Sequence, residues 1–292
     1  MRLKKKKVAF CFSGQARTFD LCYPYIKKNF LDPLGENKKD YDIFCCVEDE
    51  KDADKILVMQ PTKILKVKSE DFNEKYKDVI SLNYKKYFAR GNLSNQLNQL
   101  NKIYLANNLR KQFQKENNIS YNFVVRTRFD IFPISKINYS SLNKNKLYLP
   151  KSKDSTHPNY NDIIAIGGEA MLDVYSDRIK KFKETLAFFH IKKSSFKMHI
   201  SLFLEKKFIN FFELLIRISE KDSMKARFYK KVIIARSLLG FIRPPLKNCY
   251  TAESGLYKYL ENEKIKPKII TIDFALIREK WVENGVWLDR QN

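Results

Sequence analysis

Three strand-like runs near the start of the chain, "KVAFCF" (7–12), "YDIFCCV" (41–47) and "TKILKVK" (62–68), constrain its fold more than any other feature. The first two are almost continuously apolar, as strands buried on both faces are. Each gap between them holds a helix: one from about 18 to 29, and a shorter one in "DEKDADKILVMQ" (49–60). Strand, helix, strand, helix, strand at this spacing predicts parallel βαβ units and an α/β class.

The pattern continues downstream. Leu97, Leu100, Ile103, Tyr104, Leu109 and Phe113 form a mostly helical stripe, predicting a long helix over about 93–117. "YNFVVRTRFDIF" (121–132) reads as a fourth strand, and "KLYLP" and "NDIIAIGG" as two short ones, with a helix starting near Glu169. "TAESGLYKYLENEKI" reads as a helix, and "PKIITIDFALIRE" as a strand running into a tail. One α/β domain over 1–292 is expected, interrupted by a basic helical stretch at about 192–247.

Charge bears on partners. The 292 residues hold 56 Lys+Arg against 33 Asp+Glu, a net +23. Such an excess suits phosphates, nucleic acid or an anionic membrane, although scattered lysine among Asn and Ile also follows from a base-composition bias. The stretch 192–247 is the most basic, with 14 Lys+Arg against four Asp+Glu. Its two helix-like segments mix cations with aromatic and aliphatic residues, as surface-lying membrane helices do and as amphipathic core helices with solvated backs do. No recognisable nucleic-acid module accompanies the charge, so nucleic acid is not the expected partner.

Cys11, Cys22, Cys45, Cys46 and Cys249 show no metal-ligand spacing. An odd number without a secretory signal favours a reducing, cytoplasmic compartment. The opening "MRLKKKKVAFCFSGQ" has too short an apolar run for a signal peptide, and no stretch reaches the ~18 apolar residues of a membrane span.

Three constellations can carry chemistry. Ser13, Gly14, Gln15 and Arg17 follow the first strand. Ligands of open α/β sheets bind beyond strand carboxyl ends, Gly14 lets backbone approach a ligand, and Arg17 supplies a fork matching a diphosphate. The loop is neither a phosphate-binding GxxxxGK[ST] loop nor GxGxxG, and an ordinary strand-to-helix turn fits it too. In "VVRTRFDIF" (124–132), alternation sets Arg126, Arg128 and Asp130 on one strand face. Asp130 is a candidate ligand for Mg²⁺ or Mn²⁺ on a diphosphate, with the arginines neutralising charge; an internal Arg–Asp pair is the alternative. In "NYNDIIAIGGEAM" (159–171), Asp162 is a candidate general base and Gly167 a place where a sugar lies against backbone, or the pair of glycines is simply a turn. His157, His190 and His199 form no ligand motif, and no nucleophile elbow occurs.

Together these segments resemble bacterial and viral glycosyltransferases associated with lipopolysaccharide or capsule synthesis, the WavE-type proteins among them. The resemblance lies in SGQ-x-R at Ser13 to Arg17, Q-x-x-K at Gln99 and Lys102, R-x-R-x-D at Arg126 to Asp130, and Asp162, Gly167, Met171 and Tyr175, with "YTAESGLYKYLENEKI" as a late segment. It covers about 7–180 and 249–278. It implies a GT-A-like, Rossmann-like, mostly parallel sheet flanked by helices and a nucleotide-diphospho-sugar donor. The implied donor site is Ser13, Gly14, Gln15, Arg17, Gln99, Lys102, Arg126, Arg128 and Gly167. The implied acceptor is a glycan or lipid-linked hydroxyl, with Asp162 or Glu253 as base, and the implied place is the cytoplasm or the cytoplasmic face of the inner membrane. Such enzymes commonly carry a DxD metal motif; "RTRFD" offers one Asp with Arg128 two residues before it. Rival readings are a nucleotide-sugar-modifying enzyme or phosphotransferase on the same sheet, and a non-catalytic basic protein that binds membrane or nucleic acid.

Overall fold

The computed structural model describes residues 4–35, 40–72, 76, 93–150, 160–187, 252–277, 282–283 and 286–287. Residues 1–188 and 250–292 group into one compact unit and 189–249 into a second. The second unit, which contains the basic stretch and its two expected helices, lies outside the described residues.

The first unit is α/β. Its strands are β1 (Lys4–Gly14), β2 (Tyr41–Glu48), β3 (Lys63–Val67), β4 (Ile119–Thr127), β5 (Ile131–Pro133), β6 (Tyr148–Pro150), β7 (Ala165–Gly167), β8 (Lys268–Ile270) and β9 (Phe274–Leu276). Its helices are α1 (Phe19–Ile26), α2 (Leu93–Asn117), α3 (Glu169–Ser176), α4 (Phe182–Ala187) and α5 (Ala252–Asn262). Seven strands form one sheet in the order β3-β2-β1-β4-β7-β6-β8. The β3-β2, β2-β1, β1-β4 and β6-β8 pairs are parallel, whereas β7 runs antiparallel to both neighbours. A separate pair, β5 with β9, stands off the main sheet.

Strand alternation divides the core into two layers. Phe10 and Phe12 of β1 and Cys45 and Val47 of β2 pack with Phe19, Cys22 and Ile26 of α1. On the other face Phe44 of β2 meets Phe113 of α2, ring centroids 5.6 Å apart. The long helix spans the predicted residues, but its sheet-facing side is not purely apolar. Ser94, Asn98 and Lys102 recur every four residues and are buried beside Leu97, Leu100 and Ile103. Of this stripe Asn98 and Lys102, together with Asn95 and Gln99, line a cleft at the carboxyl ends of the strands.

Three expected elements differ. The short helix after β2 is a 3-10 helix, Ala53–Met59. The fourth strand stops at Thr127, and the chain turns at Phe129 and Asp130 before β5. Phe129 causes the break: it turns in under Phe12 and Phe19, with centroids at 5.6 and 5.8 Å, instead of continuing the pleat. Asp130 therefore does not share a strand face with Arg126. "PKIITIDFALIRE" likewise splits into β8 and β9, in different sheets. Among the described residues no helix is long and apolar enough to cross a membrane.

Candidate functional site

The strand order reverses between β1 and β4: β2 and β3 lie on one side of β1, and the chain crosses to β4 on the other. Ligands of open α/β sheets bind in the crevice such a reversal leaves at the carboxyl ends. Here a cleft of about 650 Å³ occupies that place, within the usual range of small-molecule sites. Its lining includes Ser13, Gly14, Gln15 and Arg17 after β1, Glu48 at the end of β2, Gln99 and Lys102 of α2, and Arg128 and Asp130 after β4. Sequence stretches more than 100 residues apart thus converge on one cavity.

The first loop is built for close approach. Gly14 has φ +132°, a conformation other residues rarely adopt, and no atom lies within 4 Å of where a Cβ would sit. Ser13 is only 3% exposed, and its hydroxyl, among the described residues, has no hydrogen-bond partner. A buried polar group without a partner is costly, so this hydroxyl is ready for a ligand atom. Arg17 lies at the exposed rim, where its Nε donates to Glu50 at 3.2 Å. Thr18 donates to the Ile277 carbonyl at 2.9 Å, and the Ile277 amide donates to the Asp130 carbonyl at 2.9 Å. The segment after β9 therefore ties the first loop to the Asp130 turn.

The cleft interior holds a charged pair that the sequence does not single out. Lys102 Nζ, almost fully buried, donates to Glu48 Oε2 at 2.8 Å and to Ser69 Oγ at 3.4 Å. Ser69 and Gln15 also hydrogen-bond the Glu48 carboxylate. Lys102 has three donors and uses two here, leaving one for a ligand. Burial pushes the Glu48 pKa up, but the hydrogen bonds from Lys102, Ser69 and Gln15 and the Lys102 charge outweigh it and hold it below the ordinary 4.5. A depressed carboxyl adds stability above its unfolded-chain pKa and loses it as pH falls through the folded value. Glu48→Gln should therefore lower the melting temperature at neutral pH, and the gap should close as pH is taken down from 4.5. A gap constant from pH 7 to pH 3 would contradict this.

Arg128 and Asp130 form a bidentate pair, Nε to Oδ1 and NH2 to Oδ2, both at 2.7 Å. Burial lowers the Arg128 pKa, but the bond to Asp130 and its charge more than compensate, so the net shift is upward. Each Asp130 oxygen thus accepts one bond from Arg128 and keeps a second lone pair, through which Asp130 would hold Mg²⁺ or Mn²⁺ on a diphosphate beside that arginine. Among the described residues no three His, Cys, Asp or Glu side chains cluster. The cations lining the cleft are Lys102, Arg128 and Arg17.

Three expected site residues stand outside the cleft lining. Arg126, 1% exposed, lies on the α2 face of β4 and donates to the carbonyls of Asp162 and Ile163. Burial lowers its pKa. Asp162 is buried just before β7 and accepts from Gln99 Nε2 at 3.1 Å, so Gln99 links it to the cleft. Gly167 meets not a ligand surface but this protein's own chain: a Cβ there would come within 3.0 Å of the Lys146 carbonyl and of Met171. Glu253 lies in α5, its side chain outside the described residues. Cys11, Cys22 and Cys46 are buried, which pushes each thiol up to about 12 and leaves it protonated. Glu48 and Ser69 were missed. Glu48 had one signal, a carboxylate closing an apolar strand one residue beyond the level of Gly14, which ends its neighbour.

No curated protein matches the chain. A family model described as a domain of unknown function, DUF7796, matches residues 3–198, which hold every strand end and helix that lines the cleft except the Ile277 segment. With roughly two thirds of its length matched, the chain belongs to that family.

Proposed function

We propose that this protein is a glycosyltransferase that moves a sugar from a nucleotide-diphosphate donor to a hydroxyl of a glycan or lipid-linked acceptor. The observation that carries this reading is the cleft at the strand-order reversal. It combines an unpartnered Ser13 hydroxyl, the open backbone at Gly14, and Lys102 and Arg128 held ready by carboxylates. A diphosphate would take the free donor of Lys102 and the N–H donors of Arg128 that its pair with Asp130 leaves over. Arg17 at the rim adds charge. The resemblance described above points the same way and adds the GT-A-like form of the fold.

In the reaction, the acceptor oxygen bonds to the anomeric carbon while the bond from that carbon to the diphosphate oxygen breaks. Charge grows on the leaving diphosphate, where Lys102 and Arg128 stabilise it. The hydroxyl proton passes to a carboxylate. Asp162 is the described candidate, joined to the cleft by Gln99, which donates to its Oδ2. In this reading these cations carry the neutralisation, and a divalent ion on the remaining Asp130 lone pairs would add to it. An acceptor on a lipid carrier would place the work at the cytoplasmic face of a membrane, with the stretch 192–247 as a cationic contact for anionic lipid.

The test is product analysis on purified protein given nucleotide-sugars and a mixed panel of sugar acceptors. Release of free nucleoside diphosphate with a new glycoside supports the transferase. A chemically altered sugar still attached to its nucleotide would point to the modifying-enzyme reading instead.

A further inference from the structure

Two buried arginines next to the cleft make no direct ion pair among the described residues. Arg126 is 1% exposed and Arg178, in the 3-10 turn Asp177–Ile179 after α3, is 5% exposed. Arg126 spends one nitrogen on two backbone carbonyls, and its Nε and NH2 have no partner. Arg178 spends Nε on the Tyr175 carbonyl at 3.1 Å, and its NH2 has no partner. Asp162 accepts from Gln99 and acts on Arg126 through its charge alone, and Asp177 accepts from Lys180 at Oδ2, its Oδ1 being buried without a partner among the described residues. Tyr175 brings the two cations together. Its hydroxyl donates at 3.2 Å to the Asp162 carbonyl that Arg126 also uses, and its ring lies 4.2 Å below the Arg178 guanidinium.

Burying an unpaired charge is expensive, and two of one sign repel. Three unpartnered donors on two guanidiniums are what an oxyanion would satisfy. We infer that Arg126 and Arg178, around Tyr175, form an oxyanion subsite that takes a carboxylate or phosphate group, reached from the cleft at Gln99 and Asp162. That the group belongs to an acidic sugar of donor or acceptor rests on the transferase reading; the oxyanion site itself does not.

The test is thermal unfolding of the full chain in phosphate, in glucuronate and in neutral glucose, each against sodium chloride at equal ionic strength. The native protein should gain about 5 °C at a hundredfold excess over the dissociation constant with at least one oxyanion, and nothing with glucose. Glucuronate as the better ligand assigns the site to an acidic sugar; phosphate as the better one assigns it to a phosphate group. Arg178→Met should abolish the gain. In chloride alone it should melt no lower than the native protein, because it removes an unpaired buried charge at similar volume. Arg128→Met, in the cleft, should keep the gain with glucuronate and lose only what phosphate gains at the cleft cations. No gain with any oxyanion, or an undiminished gain in Arg178→Met, overturns the inference. Nucleotide binding, which runs through Lys102, is measured separately, so loss of one reading does not remove the other.

Discussion

Replacing Gly168 by alanine should cost this fold about 3 kcal/mol, a fall in melting temperature of roughly 6–12 °C. Gly168 joins β7 to α3, with φ −70° and ψ 171°, which any residue adopts. The constraint is space. A Cβ would run into the Lys144 carbonyl oxygen, the same oxygen that accepts the Gly168 amide at 2.8 Å. Backbone must move, and the 143–146 turn is anchored on both sides of the contact, by Lys146 N to Asn143 O at 3.0 Å and Asn143 N to the Tyr148 hydroxyl at 2.9 Å. Thermal unfolding of Gly168→Ala beside the native protein measures the cost. An alanine variant within 2 °C of native would show that the turn yields freely.

Lys102→Met should have the largest effect on ligand binding, about 30-fold to several thousandfold weaker affinity for a nucleoside diphosphate. Two losses combine: the ligand loses a desolvated cation, and Glu48 keeps its burial without its main partner. The neighbouring rim makes a natural control. Arg17 is 46% exposed and paired with Glu50 across solvent, and pairs of that kind are worth about 0–1 kcal/mol. Arg17→Met should therefore change the affinity by less than about fivefold. Titration of both variants with the same nucleotide decides the matter; equal losses at rim and interior would remove Lys102 from the centre of the account.

Much of this molecule is legible in its sequence, and the illegible parts have physical causes. "KVAFCF" and "YDIFCCV" are apolar on both faces because helices cover both sides of the sheet, and that pattern alone gives β1 and β2 and their parallel pairing. The Leu stripe places α2, and the SGQ-x-R turn places the loop after β1. Period and polarity do not reveal where a strand stops when the next residue is also apolar, so Phe129 hid the end of β4. Alternation then grouped Arg126 with Arg128 and Asp130, which the turn separates. Gly167 and Gly168 were legible as a close approach, but not as an approach of the 143–146 turn. Glu48 and Ser69 take their meaning from Lys102, 54 and 33 residues away, and no local pattern encodes a contact of that separation.

The central claim is that the β1–β4 cleft holds a nucleotide diphosphate on Lys102 and Arg128. Thermal stabilisation of the full chain across nucleoside mono- and diphosphates and nucleotide-sugars, in EDTA and in Mn²⁺, tests it most directly, with Lys102→Met and Asp130→Ala alongside. The account predicts a shift of several degrees with one diphosphate series, smaller with the monophosphate, present in EDTA and lost in Lys102→Met. It also predicts that Asp130→Ala, which frees the Arg128 fork, keeps the shift. No shift with any nucleotide, or one that needs Mn²⁺ and disappears in Asp130→Ala while surviving in Lys102→Met, would contradict it.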